Sequence, residues 1–245
     1  TLTITKEDID GNPVSVMKVI GPDVVSTEQT VGAPSQFGGM TIQESLASPS
    51  MVGSLIILGV GDAIDNFNFS GNEKIEIDFE SGVEGVEERK TATFYVYEFT
   101  ELQSPTTLTR TSGGLQLRYY QLKFSSKQAV KYYESEIPFA GDTEFMGKIA
   151  GEDADGDPGL INYLATKYFA GEPFEIEDTQ NSIWIRGKNF SLPQRKPVMS
   201  MALMELMNYA ASFSVRKENP NACLYFFWQD FDGWHYKSYE SLIGD

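Results

Sequence analysis

Cysteine and histidine are almost missing from this chain of 245 residues. The one cysteine, Cys223, excludes a disulfide framework within the chain. Because Cys223 lies in an apolar run, we expect it to be a small buried hydrophobic residue. One cysteine and one histidine, His235, also fall short of the four ligands of a structural zinc site.

Long apolar runs and basic residues are scarce as well. The longest apolar stretch, residues 51–60, contains glycines and is much shorter than the ~18 to 20 residues of a membrane helix, so no membrane contact is predicted. The chain has 19 Lys and Arg against 35 Asp and Glu, a formal net charge of -16. Since nucleic-acid affinity comes mainly from basic side chains that neutralise phosphates, this balance argues against a protein that grips DNA. It still allows a wall past which DNA slides.

Short strands are predicted for most of residues 1 to 125. Ile75, Ile77 and Phe79 alternate with acidic residues, which predicts one buried face and one solvent-facing acidic face. Similar short runs recur between clusters of Gly, Pro and Ser. This pattern favours an antiparallel β-barrel or sandwich over βαβ units, and we predict an N-terminal β-barrel domain over residues 1–125.

After residue 125 the sequence contains both helical and strand-like patterns. We therefore predict an α+β domain over residues 126–245. Asp157 and Pro158 are typical of an N-cap and a first helical position. A second helix is predicted from Val198 to Phe213, where apolar residues recur at helical spacing.

The C-terminal segment predicts a β-hairpin. Two aromatic-rich runs, 223–228 and 234–239, flank Asp232-Gly233, a pair that is common in tight turns. We expect the helix that ends at Phe213 to pack on this hairpin. The predicted structural core of the domain consists of Trp228, Trp234, Tyr236, Leu203 and Leu206.

No catalytic or cofactor-binding residue is predicted. His235 would have to serve any histidine-dependent mechanism, yet no serine stands in a G-x-S-x-G elbow, so a structural role is favoured. Asp153, Asp155 and Asp157 resemble the start of a calcium-binding loop, but Pro158 and Leu164 stand where that loop needs glycine and glutamate. These aspartates are weak metal candidates; the alternative is an acidic loop that leads into a helix.

The order of several segments resembles a known family. Those segments are 40–46, Pro49, Gly53, 55–57, 62–64, Phe69, 71–73, 75–77, 120–126, 225–230, 233–239 and 242–243. Together they resemble the first barrel, and the helix-then-hairpin insert, of the baseplate hub proteins of contractile-tailed bacteriophages.

The resemblance implies a structural virion protein and no enzymatic activity. Hubs of this family are homotrimers that adapt the tail tube to the central spike, and DNA passes through their lumen without specific binding. The implied partners are therefore the tail tube protein and the spike protein. The implied location is the tail baseplate, after assembly in the host cytoplasm. The family has two barrels per chain, so a second barrel is expected beyond residue 245.

A carbohydrate-binding or carbohydrate-processing β protein is the alternative hypothesis. Such a protein would use exposed Trp and Tyr rings as sugar platforms beside paired carboxylates. The positions of Trp184, Trp228 and Trp234 separate the two hypotheses. A line of exposed rings would favour sugar binding, whereas rings buried between helix and hairpin would favour a scaffold.

Overall fold

The fold is that of a computed structural model, which describes residues 2–8, 10–20, 35–60, 67–71, 73–80, 89–102, 117–127, 138–139, 144–186, 201–221 and 223–244. The chain divides into two units. Unit 1 comprises residues 1–43 and 52–127, and unit 2 comprises residues 44–51 and 128–245.

Unit 1 is built from seven strands. They are β1 (Leu2–Glu7), β2 (Pro13–Ile20), β3 (Ser35–Gln43), β4 (Val52–Val60), β5 (Lys74–Glu80), β6 (Arg89–Leu102) and β7 (Leu117–Ser126). Neighbouring strands hydrogen-bond in the order β1-β2-β3-β4-β7-β6-β5. The order returns to its start because β5 also pairs with β1, from Leu2 opposite Ile77 to Thr5 opposite Lys74.

The junction between β2 and β3 differs from the others. It is parallel and consists of two residue pairs, Val19 with Ser35 and Ile20 with Gln36. Every other pairing among the described strands of unit 1 is antiparallel. Among the described residues, no strand pairs with the rest of β2 on the side away from β1. The prediction of an antiparallel barrel is therefore wrong at this junction, because the two strands meet there in parallel and, among the described residues, over two residue pairs.

Side-chain alternation gives unit 1 its core. Ile75 and Ile77 of β5 are buried, whereas Glu76 and Asp78 face outward, as their alternation predicted. The same period buries residues of the neighbouring strands, among them Ile4, Leu55, Ile57, Phe94, Val96, Leu122 and Phe124. The outward carboxylates have cationic neighbours, for example Lys74 Nζ at 2.8 Å from Glu76 Oε1.

Gly53 marks the tightest packing in this core. A Cβ atom at this position would lie 2.5 Å from the ring of Phe124 and 2.5 Å from the carbonyl oxygen of Thr41. Both neighbours belong to paired strands and cannot retreat independently. Glycine is therefore required here for close approach.

Unit 2 consists of five short strands and three helices among the described residues. They are β8 (Glu144–Lys148), α1 (Leu160–Tyr168), β9 (Phe174–Ile176), β10 (Ser182–Arg186), α2 (Leu203–Phe213), β11 (Tyr225–Asp230), β12 (Gly233–Ser238) and α3 (Tyr239–Ile243). Strands β8 and β10 form an antiparallel pair. Strands β11, β12 and β9 form a second sheet, in which β9 runs parallel to β12.

The predicted α+β class is also wrong. The described residues hold twelve strands and three helices, and the helices are 9, 11 and 5 residues long, so the chain is mostly β. The predicted hairpin does not stand by itself. Its second strand hydrogen-bonds to β9, some 60 residues earlier in the chain, which places the hairpin in a three-stranded sheet.

Several local predictions need correction. Helix α1 begins at Leu160 with Gly159 as its N-cap, so Asp157 does not cap it. Helix α2 begins at Leu203, and the predicted start at Val198 lies outside the described residues. Phe213 follows the helical spacing of the buried residues of α2, but it is the last residue of the helix and is 52% exposed. Cys223 is exposed because it lies outside the hairpin, two residues before β11 begins at Tyr225.

No helix in the described part of the chain combines the length and the apolar character needed to cross a membrane.

Candidate functional site

The register of the C-terminal hairpin sorts its aromatic side chains between two faces. Phe227 lies opposite Tyr236, and Trp228 lies opposite His235. Because side chains alternate along a strand, these two pairs point to opposite sides of the sheet. All five residues predicted as core are buried; Trp228 is 6% exposed and Trp234 is fully buried.

One face of the hairpin belongs to the apolar core of unit 2. The ring of Trp234 lies 4.9 Å from that of Phe169 and 5.3 Å from that of Phe227. The hydroxyl of Tyr236 lies 2.7 Å from Ser214 Oγ, and Ser214 also donates to the carbonyl oxygen of Ala210. Burial raises the pKa of Tyr236. This face is a packed interior, and its second phenol, that of Tyr225, also has a partner, because it donates to the Asp178 carbonyl oxygen at 3.1 Å.

The opposite face carries a group of polar side chains around His235. The imidazole stacks on Trp228, with ring centroids 4.7 Å apart and planes 19° from parallel. Its Nε2 lies 2.9 Å from Asp230 Oδ1, and its Nδ1 lies 3.3 Å from Glu175 Oε2. Lys237 Nζ contacts the same Glu175 oxygen. We call these five residues the His235 cluster.

The two carboxylates of the His235 cluster are held in their ionised form. Burial acts to raise the pKa of Asp230, but hydrogen bonds from His235 and from the backbone N–H of Asp232 outweigh it and lower that pKa. The Lys237 ammonium lowers the pKa of Glu175. The cluster therefore contains two carboxylates with an imidazole between them.

A crevice of about 770 Å³ opens beside the His235 cluster. It is lined by Glu175, Ile176, Glu177, Asp178, Arg216, Lys217, Glu218, Lys237 and Ser241. Four of these residues are acidic and three are basic, and they stand in pairs. Arg216 Nε lies 2.7 Å from Glu177 Oε1, and Lys217 Nζ lies 3.2 Å from Asp178 Oδ2. The crevice is polar, yet its charges largely neutralise one another.

Glu177 is the most heavily bonded residue of the crevice. Its carboxylate accepts hydrogen bonds from the Ser238 backbone N–H at 2.6 Å and from the hydroxyls of Ser238 and Ser241 at 3.1 Å each. Arg216, 8% exposed, pairs with it from the other side. This arrangement joins β9, the segment after α2, and the start of α3. Glu177 therefore has a structural role: both of its carboxylate oxygens already have partners within unit 2.

The acidic loop is closed by its own hydrogen bonds. Asp153 Oδ1 accepts from the backbone N–H groups of Asp155 and Asp157, each at 2.9 Å. The Asp153 N–H in turn donates to the Asp157 carbonyl oxygen. Within the described residues, no group of three or more His, Cys, Asp or Glu side chains is placed to hold a metal ion. The three candidate aspartates thus serve the turn and are not gathered around a common point.

Trp184 is the one tryptophan with a substantially exposed ring. It is 39% exposed, lies opposite the exposed Met146 on β8, and its Nε1 donates to Glu144 Oε2 at 3.3 Å. Trp228 and Trp234 are buried, so the three tryptophans do not make the line of exposed rings that a sugar platform requires. The buried pair is divided between the two faces of the hairpin sheet, and Trp234 lies in the core with α2.

Neither protein-family models nor curated proteins assign this chain to a family. A scan against protein-family models found no match, and a search of curated proteins found none either.

Sequence reasoning missed the charged residues of the crevice. Glu177 and Arg216 are far apart in the chain, and neither stands in a recognisable motif. Their proximity depends on an isolated antiparallel bridge between Thr179 and Arg216, and a single bridge leaves no periodic signal in the sequence.

Proposed function

We propose that this chain is a structural subunit of the central hub in the baseplate of a contractile bacteriophage tail. In this role it adapts the tail tube to the central spike and forms part of the wall of the DNA channel. It acts without cofactors and without catalysis. Its partners are two further copies of the chain, the tube protein and the spike protein, in the virion and, before that, in the host cytoplasm.

The observation that carries the proposal is the arrangement of the segments that resemble hub proteins. Residues 55–57 lie in β4 and residues 120–126 lie in β7, and these two strands are direct neighbours over nine residue pairs. Residues 75–77 lie in β5, and residues 40–43 lie in β3 beside β4. Segments that are far apart in the chain thus belong to one sheet, which supports reading them as parts of one structural unit.

The outward surface of that sheet also supports a wall that does not retain DNA. Lys123 Nζ lies 2.9 Å from Glu98 Oε1, and Arg89 forms two hydrogen bonds with Asp78. Cations that are matched by carboxylates have little excess charge to offer to phosphates. Together with the net charge of -16, this favours sliding over binding.

Exposed apolar side chains on the strands of unit 1 support contacts with other subunits. Val14 and Val16 of β2 are 65% and 55% exposed, and Tyr97 of β6 is 50% exposed. Val14 and Val16 lie on the part of β2 that, among the residues the structure describes, pairs with β1 alone. Burial of these residues on assembly would remove apolar surface from water.

Electron microscopy of purified contractile tails that contain this chain tests the proposal. We expect density for three copies on the tail axis between the tube and the spike. A map that places the chain away from the axis, or particles that assemble normally without it, would refute the proposal. Light scattering of the purified chain provides a second test, with an expected mass about three times 27.3 kDa.

A further inference from the structure

His235 is held between two carboxylates that come from different strands. Asp230 ends β11 and contacts Nε2, whereas Glu175 lies in β9 and approaches Nδ1. The imidazole is 7% exposed, and its Nδ1 makes no hydrogen bond among the described residues. Both ring nitrogens therefore face carboxylate oxygens, and only one of them has a well-formed bond.

The protonation state of an imidazole decides how many of these contacts can be hydrogen bonds. A neutral imidazole has one N–H donor, and its other nitrogen carries a lone pair. An imidazolium donates from both nitrogens. If the ring is neutral and Nε2 donates to Asp230, the lone pair of Nδ1 faces the Glu175 carboxylate. These two electron-rich groups repel each other.

We propose that His235 is a proton-dependent clamp that fastens β9 to the C-terminal hairpin. When the ring is protonated, it donates to Asp230 and to Glu175 together. When it is neutral, it keeps the Asp230 contact and loses its attraction for Glu175, which Lys237 still contacts. The clamp thus adds a proton-dependent contribution to the backbone pairing of β9 with β12.

The other charged groups at this place do not reproduce the effect. Asp230 also accepts from the backbone N–H groups of Asp232 and Gly233 at 2.8 and 3.2 Å, so the turn holds it in place. Lys237 contacts Glu175 and keeps that carboxylate near β12. Histidine is the side chain that ordinarily changes charge between about pH 5 and 8, whereas carboxylates and lysines do not. A pH-dependent contribution of Glu175 that disappears on replacement of His235 would therefore identify the clamp.

Release of Glu175 would also affect the crevice. Glu175 and Lys237 both line it, and Glu177, two residues further along, is bonded to Arg216 and to the start of α3. A displacement of the Glu175 side chain would therefore alter the lining of the crevice. The inference does not depend on the proposed hub function.

A double-mutant cycle at two pH values tests the clamp. In the unsubstituted chain, Glu175→Gln should lower the melting temperature more at about pH 5.5 than at about pH 8, by about 1 to 3 °C, because an exposed ion pair is weak. In a His235→Gln background, the effect of Glu175→Gln should be the same at both pH values. Equal effects in the unsubstituted chain, or a pH-dependent effect that persists without His235, would overturn the proposal.

A matched control separates the clamp from general charge effects. Glu205 is an exposed carboxylate on α2, and Glu205→Gln removes the same charge at a distance from His235 in the chain. We expect no pH-dependent difference for this variant. A difference as large as that of Glu175→Gln would mean that net charge causes the effect, and would overturn the clamp.

Hydrogen exchange provides a measurement that needs no substitution. The Glu177 N–H donates to the Tyr236 carbonyl oxygen at 2.9 Å and reports the pairing of β9 with β12. After correction for intrinsic exchange, its protection factor should fall about two- to fivefold between pH 5.5 and pH 8. Unchanged or increased protection would contradict the proposal.

Discussion

Replacement of Trp228 by alanine is the most direct test of the hairpin. The side chain is 6% exposed, so almost all of the roughly 150 to 250 Å² that an aromatic residue buries is removed from water. At about 25 cal/mol per Å², that area corresponds to about 4 to 6 kcal/mol, which is an upper estimate. Trp→Ala changes in protein cores usually cost about 3 to 5 kcal/mol. We expect a loss in this range.

Urea denaturation followed by circular dichroism measures this loss. With an m-value of about 2 kcal/mol/M, a loss of about 3 to 5 kcal/mol lowers the urea midpoint by about 1.5 to 2.5 M. Circular dichroism is preferred to fluorescence because the substitution removes one of three tryptophans. The m-value should stay unchanged, since the same surface is exposed on unfolding.

Trp184→Ala is the matched control. The same side chain is removed, but from a ring that is 39% exposed and that donates a hydrogen bond to Glu144. We expect a loss of about 1 kcal/mol or less. If Trp228→Ala shifts the midpoint no more than Trp184→Ala does, the stacked, buried position of Trp228 against His235 is refuted.

Three further substitutions or conditions test other parts of the chain. Gly53→Ala should cost about 1 to 3 kcal/mol in urea denaturation, because the new Cβ meets neighbours at 2.5 Å; an unchanged midpoint would contradict this packing. Glu73, fully buried, accepts from the Ser70 N–H and hydroxyl and from the Gly71 N–H. Glu73→Gln should cost about 1 to 3 kcal/mol, because an amide NH₂ then faces a donor, and calorimetry that shows no loss would contradict it. Burial raises the pKa of Tyr225 and of Tyr236 above the usual value near 10. Their contribution is complete below about pH 10 and should fall above it by about 1.4 kcal/mol per pH unit for each tyrosine, since the unfolded phenols ionise first; denaturation midpoints between about pH 8 and 11 test this. A level profile across that range would contradict it.

Local features of the fold were accessible from the sequence where a pattern is periodic. The alternation around Ile75 and Ile77 identified the buried face of β5, because a strand places successive side chains on opposite sides. Asp232 and Gly233 marked the turn of the hairpin, which fixes Trp228 opposite His235. The burial of Leu203 and Leu206 followed from helical spacing.

Other features could not be predicted, because they depend on contacts between distant segments. Phe213 fits the helical period but is exposed, since it lies at the end of α2. Cys223 belongs to an apolar run, yet β11 begins two residues later. The barrel was expected to be antiparallel throughout, and nothing local indicated that β2 and β3 meet in parallel over two residue pairs.

The sequence by itself determined the alternation of β5, the turn of the C-terminal hairpin and the scarcity of histidine and cysteine, since periodicity, turn chemistry and composition are local or additive properties. Only the tertiary structure decided which elements meet. The pairing of β9 with β12 brought Glu175 to His235, and the same pairing brought Glu177 to Ser238. The physical reason is that backbone hydrogen bonds between strands do not depend on side-chain identity. The sequence of a short strand therefore does not indicate which strand it pairs with.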